Sequence, residues 1–230
     1  MFIVIEWVDG AGKKTQTGLL ADKLKDLWHA VETLSFPTYG HWSATFVEKL
    51  LNGEFGRPHD LDPYVASTFY MTDRFAQKPM LEKKLAVYDY VISDRYTMSN
   101  FIHRGAHYLE QWDENAMRDF FSWLYDLEFQ RAKLPLPDKI IFLSMGLKNI
   151  EANLERKAAE TKRDYIDPAN QGTLDIVEKD MDYQKYSLLV GKEILPTYFD
   201  NYVVIDCEDD SGKLLSPQAI HQKILKEVLG

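Results

Sequence analysis

"EWVDGAGKKTQ", residues Glu6 to Gln16, is the stretch from which the rest of the chain is best read. It follows a short apolar run, "FIVIE" (Phe2–Glu6), and leads into a segment whose leucines recur at helical spacing. A strand, a glycine-bearing turn and a helix opening at a lysine form the context in which G-x-x-x-x-G-K-[ST] binds phosphate. Backbone N–H groups of the turn and of the helix N-terminus cradle the anion, and the lysine adds a point charge. Gly12-Lys13 stands in the expected place, with Gly10 and Ala11 in the turn before it. The plainer alternative is a strand–helix turn with an incidental Gly-Lys pair.

Two positions depart from the pattern. Trp7 occupies the place of the first glycine, and Lys14 that of the hydroxyl residue. A tryptophan there demands φ < 0 or strain. Its indole either covers an apolar patch, or lies against substrate or blocks the mouth of the site. Lys14 has three donors and no acceptor, so it cannot coordinate Mg²⁺. The metal is then left to phosphates, water and a carboxylate, or Lys14 itself supplies charge to the phosphates. Thr15 keeps a hydroxyl one residue further on.

Outward from this loop, strand and helix patterns alternate. "YDYVISD" (Tyr88–Asp94), "KIIFLSM" (Lys139–Met145) and "YVVID" (Tyr202–Asp206) are apolar and β-branched without strict alternation, and "VETLSF" (Val31–Phe36) is a weaker run of the same kind. Such runs suit strands buried on both faces of a parallel sheet. Leu20, Leu24, Leu27 and Trp28 form one helical stripe after Lys13. Ser216 as N-cap and Pro217 at the first helical position open a last helix that buries Ile220, Ile224 and Val228. The pattern predicts a doubly wound α/β fold with a five-stranded parallel sheet flanked by helices, as one domain over 1–230. "RPHDLDP" (Arg57–Pro63) reads as a loop, and "RKAAETKRDYIDPANQG" (Arg156–Gly172) as a mobile lid or a disordered insertion. The helix "NAMRDFFSWLYDLEF" (Asn115–Phe129) is aromatic nearly all round, which fits either interface or core.

Composition narrows the function. With 230 residues, 45% hydrophobic and 27% charged, the chain is long enough for one substantial core. A formal net charge of −9 argues against a general nucleic-acid binder but not against a small anionic substrate, since a few arginines can dominate a pocket. Cys207 is the single cysteine, which excludes an internal disulfide and a cysteine-based zinc cage. No apolar run approaches the ~20 residues that cross a bilayer, and the expected compartment is the cytoplasm.

Further motifs stand at other strand ends. "SFPTYG" (Ser35–Gly40) follows the second strand, "SDRYTMSNFIHRGAHY" (Ser93–Tyr108) the third, and "ASTFYMTDRF" (Ala66–Phe75) puts Tyr70 and Arg74 on one helix face. In this order, and over nearly the whole chain, D-G-x-G-K, F-P-x-Y-G, F/Y-x-x-x-R, D-R-Y-x-x-S-N and a basic lid ending in D-x-x-E resemble the thymidylate kinases. The resemblance implies a P-loop NTPase-type fold with a short lid (about 155–174), ATP and Mg²⁺, dTMP as acceptor, and a homodimer.

It also implies roles, residue by residue. Gly10, Ala11, Gly12, Lys13, Lys14 and Thr15 would bind ATP. Asp9 would hold the acceptor's sugar hydroxyl and orient phosphate or metal. Phe36 and Tyr70 would sandwich the thymine, with Pro37 shaping the turn. Arg74 would bond the base edge, Asn100 would offer its carbonyl to the ring N–H, and Tyr39, Asp94 and Arg95 would hold and orient the 5′-phosphate. One branch of the family carries an arginine inside the first loop; Gly10 stands there, so the catalytic arginine would come from the lid, Arg156 before Arg163. Glu178, closing "DIVE", would reach the sugar or the metal, with Val177 where an aromatic or polar residue is common. His103 replaces the tyrosine that would press on the deoxyribose, and with His107 it forms an i, i+4 pair for which no third metal ligand is evident. These departures leave two other readings open: a kinase for a different nucleoside monophosphate, and a nucleotide-binding relative impaired by Trp7 and Lys14.

Overall fold

The computed structural model describes residues 1–7, 13–56, 61–160 and 180–230. Within them the five apolar runs lie side by side. The strands β1 (Phe2–Trp7), β2 (Val31–Ser35), β3 (Tyr90–Asp94), β4 (Lys139–Ser144) and β5 (Tyr202–Asp206) form one sheet in the order β2-β3-β1-β4-β5. All four pairings are parallel. All six residues of β1 are buried, as its central place requires. The third strand starts two residues later than its apolar run, because Tyr88 is still spent on a helix end: its N–H donates to the Lys84 carbonyl at 3.0 Å.

The helices are α1 (Lys13–Asp26), α2 (Thr45–Leu51), α3 (Pro63–Val87), α4 (Met98–Glu110), α5 (Glu114–Tyr125), α6 (Leu147–Glu160), α7 (Met181–Leu189) and α8 (Pro217–Leu229). The last begins as its sequence says, with the Ser216 hydroxyl accepting from the Ala219 N–H at 3.2 Å and Ile220, Ile224 and Val228 buried. Helix α3 starts at Pro63 because Asp62 accepts from the N–H groups of Tyr64 and Val65, at 2.8 and 3.2 Å. Arg57 to Asp60 of the expected loop lie outside the described residues. Among the described residues no helix is long and apolar enough to cross a membrane.

Three expectations need correction. Leu27 and Trp28 do not continue the stripe of Leu20 and Leu24: α1 ends at Asp26, and the two are 40% and 96% exposed. Trp28 takes a left-handed φ of 68°, and the His29 N–H reaches back to Leu24 O while Trp28 N–H reaches Lys25 O. That is a Schellman end with tryptophan where glycine is usual. Second, the first part of the polar stretch expected as a lid is helix, since α6 runs on to Glu160; the rest of it, 161–172, lies outside the described residues. Third, the aromatic segment is not one regular helix. Past Tyr125 it widens into a π-helical turn, Asp126–Arg131. Met117, Phe120, Phe121 and Leu124 are buried, so this segment is core within the chain itself.

Topology places a crevice. The chain leaves β1 through α1 toward β2, on one side of the sheet, whereas β3 is followed by α4 and α5 on the way to β4, on the other side. Right-handed crossovers in opposite directions put α1 and α4 on opposite faces. Consistently, α1 packs on α8 while α4 packs on α3, α5 and α7. The adjacent ends of β1 and β3 are thus the point where such sheets bind ligands.

Both sides of this crevice are tied by one side chain. Glu6, in β1 and fully buried, accepts from the N–H groups of Tyr96 and Ser99 at 2.8 and 3.1 Å and from the Ser99 hydroxyl at 2.7 Å. Thr97, at the N-cap position of α4, makes no side-chain cap bond. The strand's carboxylate caps the helix in its place, where negative charge is favoured. Burial pushes the Glu6 carboxyl up to about 7 from its ordinary 4.5, against the opposing pull of Arg95, Ser99 and the Tyr96 amide.

A pH dependence follows. Between about 4.5 and about 7 the unfolded chain has lost this proton while the folded protein keeps it. The fold therefore binds more protons in that window, and stability falls as pH rises through it. Glu6→Gln removes the group. Urea unfolding at pH 5 and pH 8 should show the variant losing less stability across the window than the wild type, by up to about 3 kcal/mol. A wild-type-minus-variant difference that stays constant over this range contradicts the assignment.

Candidate active site

Arg95 is the first residue beyond β3 and sits at φ 65°, a left-handed conformation that costs a non-glycine residue about 1–2 kcal/mol. Four contacts hold it there. Its N–H donates to Ile5 O at 3.0 Å, extending the β1–β3 ladder by one bond, and the Ser93 hydroxyl donates to its carbonyl at 2.5 Å. Its guanidinium carbon lies 5.4 Å above the Trp7 ring, and Nη1 is 2.8 Å from His103 Nε2. A guanidinium has no acceptor, so His103 accepts through Nε2 and carries its ring proton on Nδ1, which faces the Ser187 hydroxyl at 3.5 Å.

Trp7 is therefore not a plug. It ends β1 in extended backbone, is fully buried within the core, and forms a floor under the arginine. The reading in which the indole blocks the mouth is overturned. Of the two alternatives at residue 7, φ < 0 or strain, the first holds: Trp7 is not among the residues with positive φ, whereas Arg95 is.

On the β1 side of the crevice lies the N-terminus of α1, which opens at Lys13. Its first turn contains no acidic residue, so its backbone N–H groups face no competing carboxylate of their own. Thr15 is exposed. Lys14 lies in the same turn. Asp9, Gly10, Ala11 and Gly12 lie outside the described residues, as do Arg163 and Glu178. Arg156 falls within α6, so its backbone is helical.

The second strand's loop is pinned to the third. Phe36 N–H donates to the Asp94 carbonyl at 3.0 Å, and a cis peptide joins Phe36 to Pro37. Asp73 of α3 accepts from the Thr38 N–H at 2.8 Å, from the Thr38 hydroxyl, and from the Ser43 hydroxyl at 2.5 Å. Phe36 is buried, its ring 5.4 Å from that of Tyr96. Pro37 is half-buried, and Tyr39 is 41% exposed.

Tyr70 and Arg74 share a face of α3, but their surroundings differ. Tyr70 is half-buried with the Arg104 guanidinium 5.8 Å from its ring centre. Arg74 is 2% exposed, and its fork grips Glu128: Nε donates to Oε2 at 3.0 Å and Nη2 to Oε1, while Nη1 reaches the Tyr96 carbonyl at 3.4 Å. Asn100 donates from Nδ2 to Ser67 O and to Glu128 Oε1, each at 3.2 Å. Burial pushes the Glu128 carboxyl up, opposed by Arg74 and Asn100.

His103 and His107 do not converge. The first faces Arg95, and the second bonds the Gln111 amide nitrogen at 2.9 Å. Tyr183 of α7 donates to the His103 carbonyl at 2.7 Å and stacks on its ring at 5.8 Å, which fastens α7 to this wall. Among the described residues there is no cluster of three metal-ligating side chains.

The structure thus gathers Phe36, Asp94, Arg95 and His103 around the β1–β3 edge, and sets Tyr70, Arg74 and Asn100 on the α3–α4 wall beside it. Glu6, Asp73, Arg104 and Glu128 belong to the same shell and are not singled out by the sequence patterns. Glu6 had a signal: it is the one charged residue in the run "FIVIE", and a strand buried on both faces must satisfy it. Glu128 had none, for nothing local ties it to a residue 54 positions earlier.

Residues 5–184 match the family pattern described as Thymidylate kinase. The thymidylate kinase of Mycobacterium tuberculosis is 31% identical over 223 residues, spanning 95% of this chain and 97% of that protein. The human thymidylate kinase is 30% identical over 145 residues, 63% of this chain and 61% of its own. Among solved structures, thymidylate kinase from Candida albicans aligns with a TM-score of 0.70 at 18% identity, covering 99% of this chain and 90% of that one. The thymidylate kinase of Ehrlichia chaffeensis gives a TM-score of 0.63 at 20% identity, covering 100% of this chain and 98% of its own. These two likenesses concern the α/β fold, with its five parallel strands flanked by helices. With strand order, crevice and sequence in agreement, the chain belongs to the thymidylate kinase family, within the P-loop nucleoside monophosphate kinases.

Proposed function

We propose that this protein transfers the γ-phosphoryl group of ATP to dTMP, giving ADP and dTDP. The observation that carries this reading is Arg95, held in a left-handed turn at the crevice by Trp7 below and His103 beside it. A guanidinium positioned so firmly, next to a helix N-terminus without acidic residues, suits a phosphate gripped opposite a second phosphate chain. In the transfer, an oxygen of the acceptor phosphate attacks the γ-phosphorus and the bond to the ADP oxygen breaks. Catalysis of this kind rests on alignment and charge neutralisation.

In this reading Arg95 binds the acceptor phosphate, Lys13 and the start of α1 bind the donor phosphates, and Arg156 or Arg163 covers the transferring group. Tyr70 stacks on the base, and Asn100 bonds its edge. Phe36 and Arg74 shape the base site from behind, since Phe36 packs on Tyr96 and Arg74 on Glu128. Mg²⁺, when bound, offsets charge between the phosphates. Asp94 is a hard oxygen donor at the end of β3, and Asp9 and Glu178 are the other candidates. Such a set fits a cation that takes one or two carboxylates and fills its remaining places with phosphate and water. The protein is taken as a cytoplasmic homodimer; the exposed aromatics Trp42, Phe46 and Phe55 offer apolar surface of the kind a second copy covers.

A second reading, a kinase for another nucleoside monophosphate, is favoured by His103. Its ring is turned to Arg95 where a tyrosine would face the sugar.

ADP release with ATP and each deoxy- or ribonucleoside monophosphate in turn separates the two. Turnover confined to dTMP supports the first, turnover with another acceptor the second, and binding without turnover contradicts both. Arg95→Ala should lower kcat/KM for dTMP by about 10²–10³-fold while leaving ATP affinity unchanged; near-normal turnover contradicts the acceptor assignment. Lys14→Thr restores a hydroxyl that can reach the metal, and activity should then depend more steeply on Mg²⁺ concentration. An unchanged Mg²⁺ titration would reduce Lys14 to a surface substitution.

A further inference from the structure

Between α3 and α4 a buried network fixes the direction of one amide. Asn100 is 2% exposed, and both acceptors around its Nδ2 belong to other elements: the Ser67 backbone carbonyl on α3 and Glu128 Oε1 on the π-helical turn. Rotating this amide by half a turn would set Oδ1 against a carbonyl and a carboxylate, losing both bonds and gaining two repulsions. Glu128 in turn cannot swing away. It is fully buried and clamped by the two-pronged grip of Arg74. The amide is therefore locked with its amino group inward and Oδ1 left as the hydrogen-bonding atom for anything that reaches it.

We propose that Glu128 is a positioning residue for base selectivity: by claiming the Asn100 amino group, it obliges the acceptor site to present an oxygen to the base edge. This rests on the reading of the crevice as an acceptor-nucleotide site. A presented oxygen accepts from a base with a ring N–H at that place, as thymine and uracil have. Cytosine has a bare acceptor nitrogen there and meets lone pair with lone pair. Sites built to hydrogen-bond one partner reject analogues that lack the matching group more strongly than apolar pockets do. The selectivity then originates in a residue that does not touch the base.

The test compares kcat/KM for dTMP and dCMP in wild type, Glu128→Gln, Asn100→Ala and the double variant. In Glu128→Gln the new side-chain amide can donate to Asn100, which frees that amide to turn. The dCMP-to-dTMP ratio should rise by about tenfold or more while the KM for ATP stays put. In the Asn100→Ala background the same substitution should leave the ratio unmoved. Equal losses for both acceptors would mean a structural role alone and would overturn the proposal, as would an equal ratio shift without Asn100. If Glu128→Gln does not fold, wild-type protein decides by NMR. Slowly exchanging Asn100 side-chain amide protons with cross-peaks to Glu128 support the lock, and rapid exchange without them overturns it. If the wild type phosphorylates neither acceptor, the kinase reading fails by itself, and calorimetric binding of dTMP against dCMP carries the same comparison. Binding without preference, or of neither, then refutes the lock's role in selectivity.

Discussion

A carboxylate buried at the centre of the sheet holds this site together. Glu6 leaves β1 sideways and supplies the acceptor that the first turn of α4 lacks. The two elements it joins, β1 and α4, lie 90 or more residues apart in sequence, so no run of local hydrogen bonds could register one against the other. Once Tyr96 and Ser99 are fixed to Glu6, the intervening backbone has little choice, and Arg95 just before them accepts a left-handed conformation. Removing a carboxylate from water is costly, and the cost shows in its upward-shifted titration. What is obtained is a rigid joint at the place where β1, β3 and α4 meet.

The substitutions in the first loop look different in that light. Glycine at position 7 would free the backbone but leave the arginine without a floor. Trp7 stays in extended backbone and presents a ring face to the guanidinium, a contact of about 0.5–2 kcal/mol depending on how far water is excluded. His103 supplies the lateral bond. Trp7 and His103, two of the departures from the family pattern, touch the same side chain. They read as a matched pair around Arg95 and not as independent decay.

How much of this was legible in the residues depended on the range of the physics involved. The closing helix was readable to the residue, because Ser216, Pro217 and the Ile220–Ile224–Val228 spacing are local signals. The strands emerged as apolar runs, off by one residue at the ends of β1, β2 and β4 and by two at the start of β3, where a helix end took Tyr88. Arg95 and Asp94 were placed at a strand end by motif, and they lie there. Trp28 failed as a core residue because its helix stops in a left-handed turn that favours glycine, and propensity argues against tryptophan in that place. Arg74 was expected to spend its fork on a ligand. It spends it on Glu128, a pairing set by tertiary packing and invisible to spacing. Asp9, Gly12, Arg163 and Glu178 fall outside the described residues, so the motif is all that speaks for them.

The π-helical turn at Asp126–Arg131 has a consequence for how this stretch can change length. A widened turn holds one more residue than a regular one, and each residue added or removed swings every later side chain by about 100° around the helix axis. Deleting a single residue ahead of Glu128 would restore a uniform helix and rotate the carboxylate out of line with the guanidinium it clamps. A shorter relative of this segment could keep its fold and its apolar face, yet it would have to find another way to neutralise the arginine beneath.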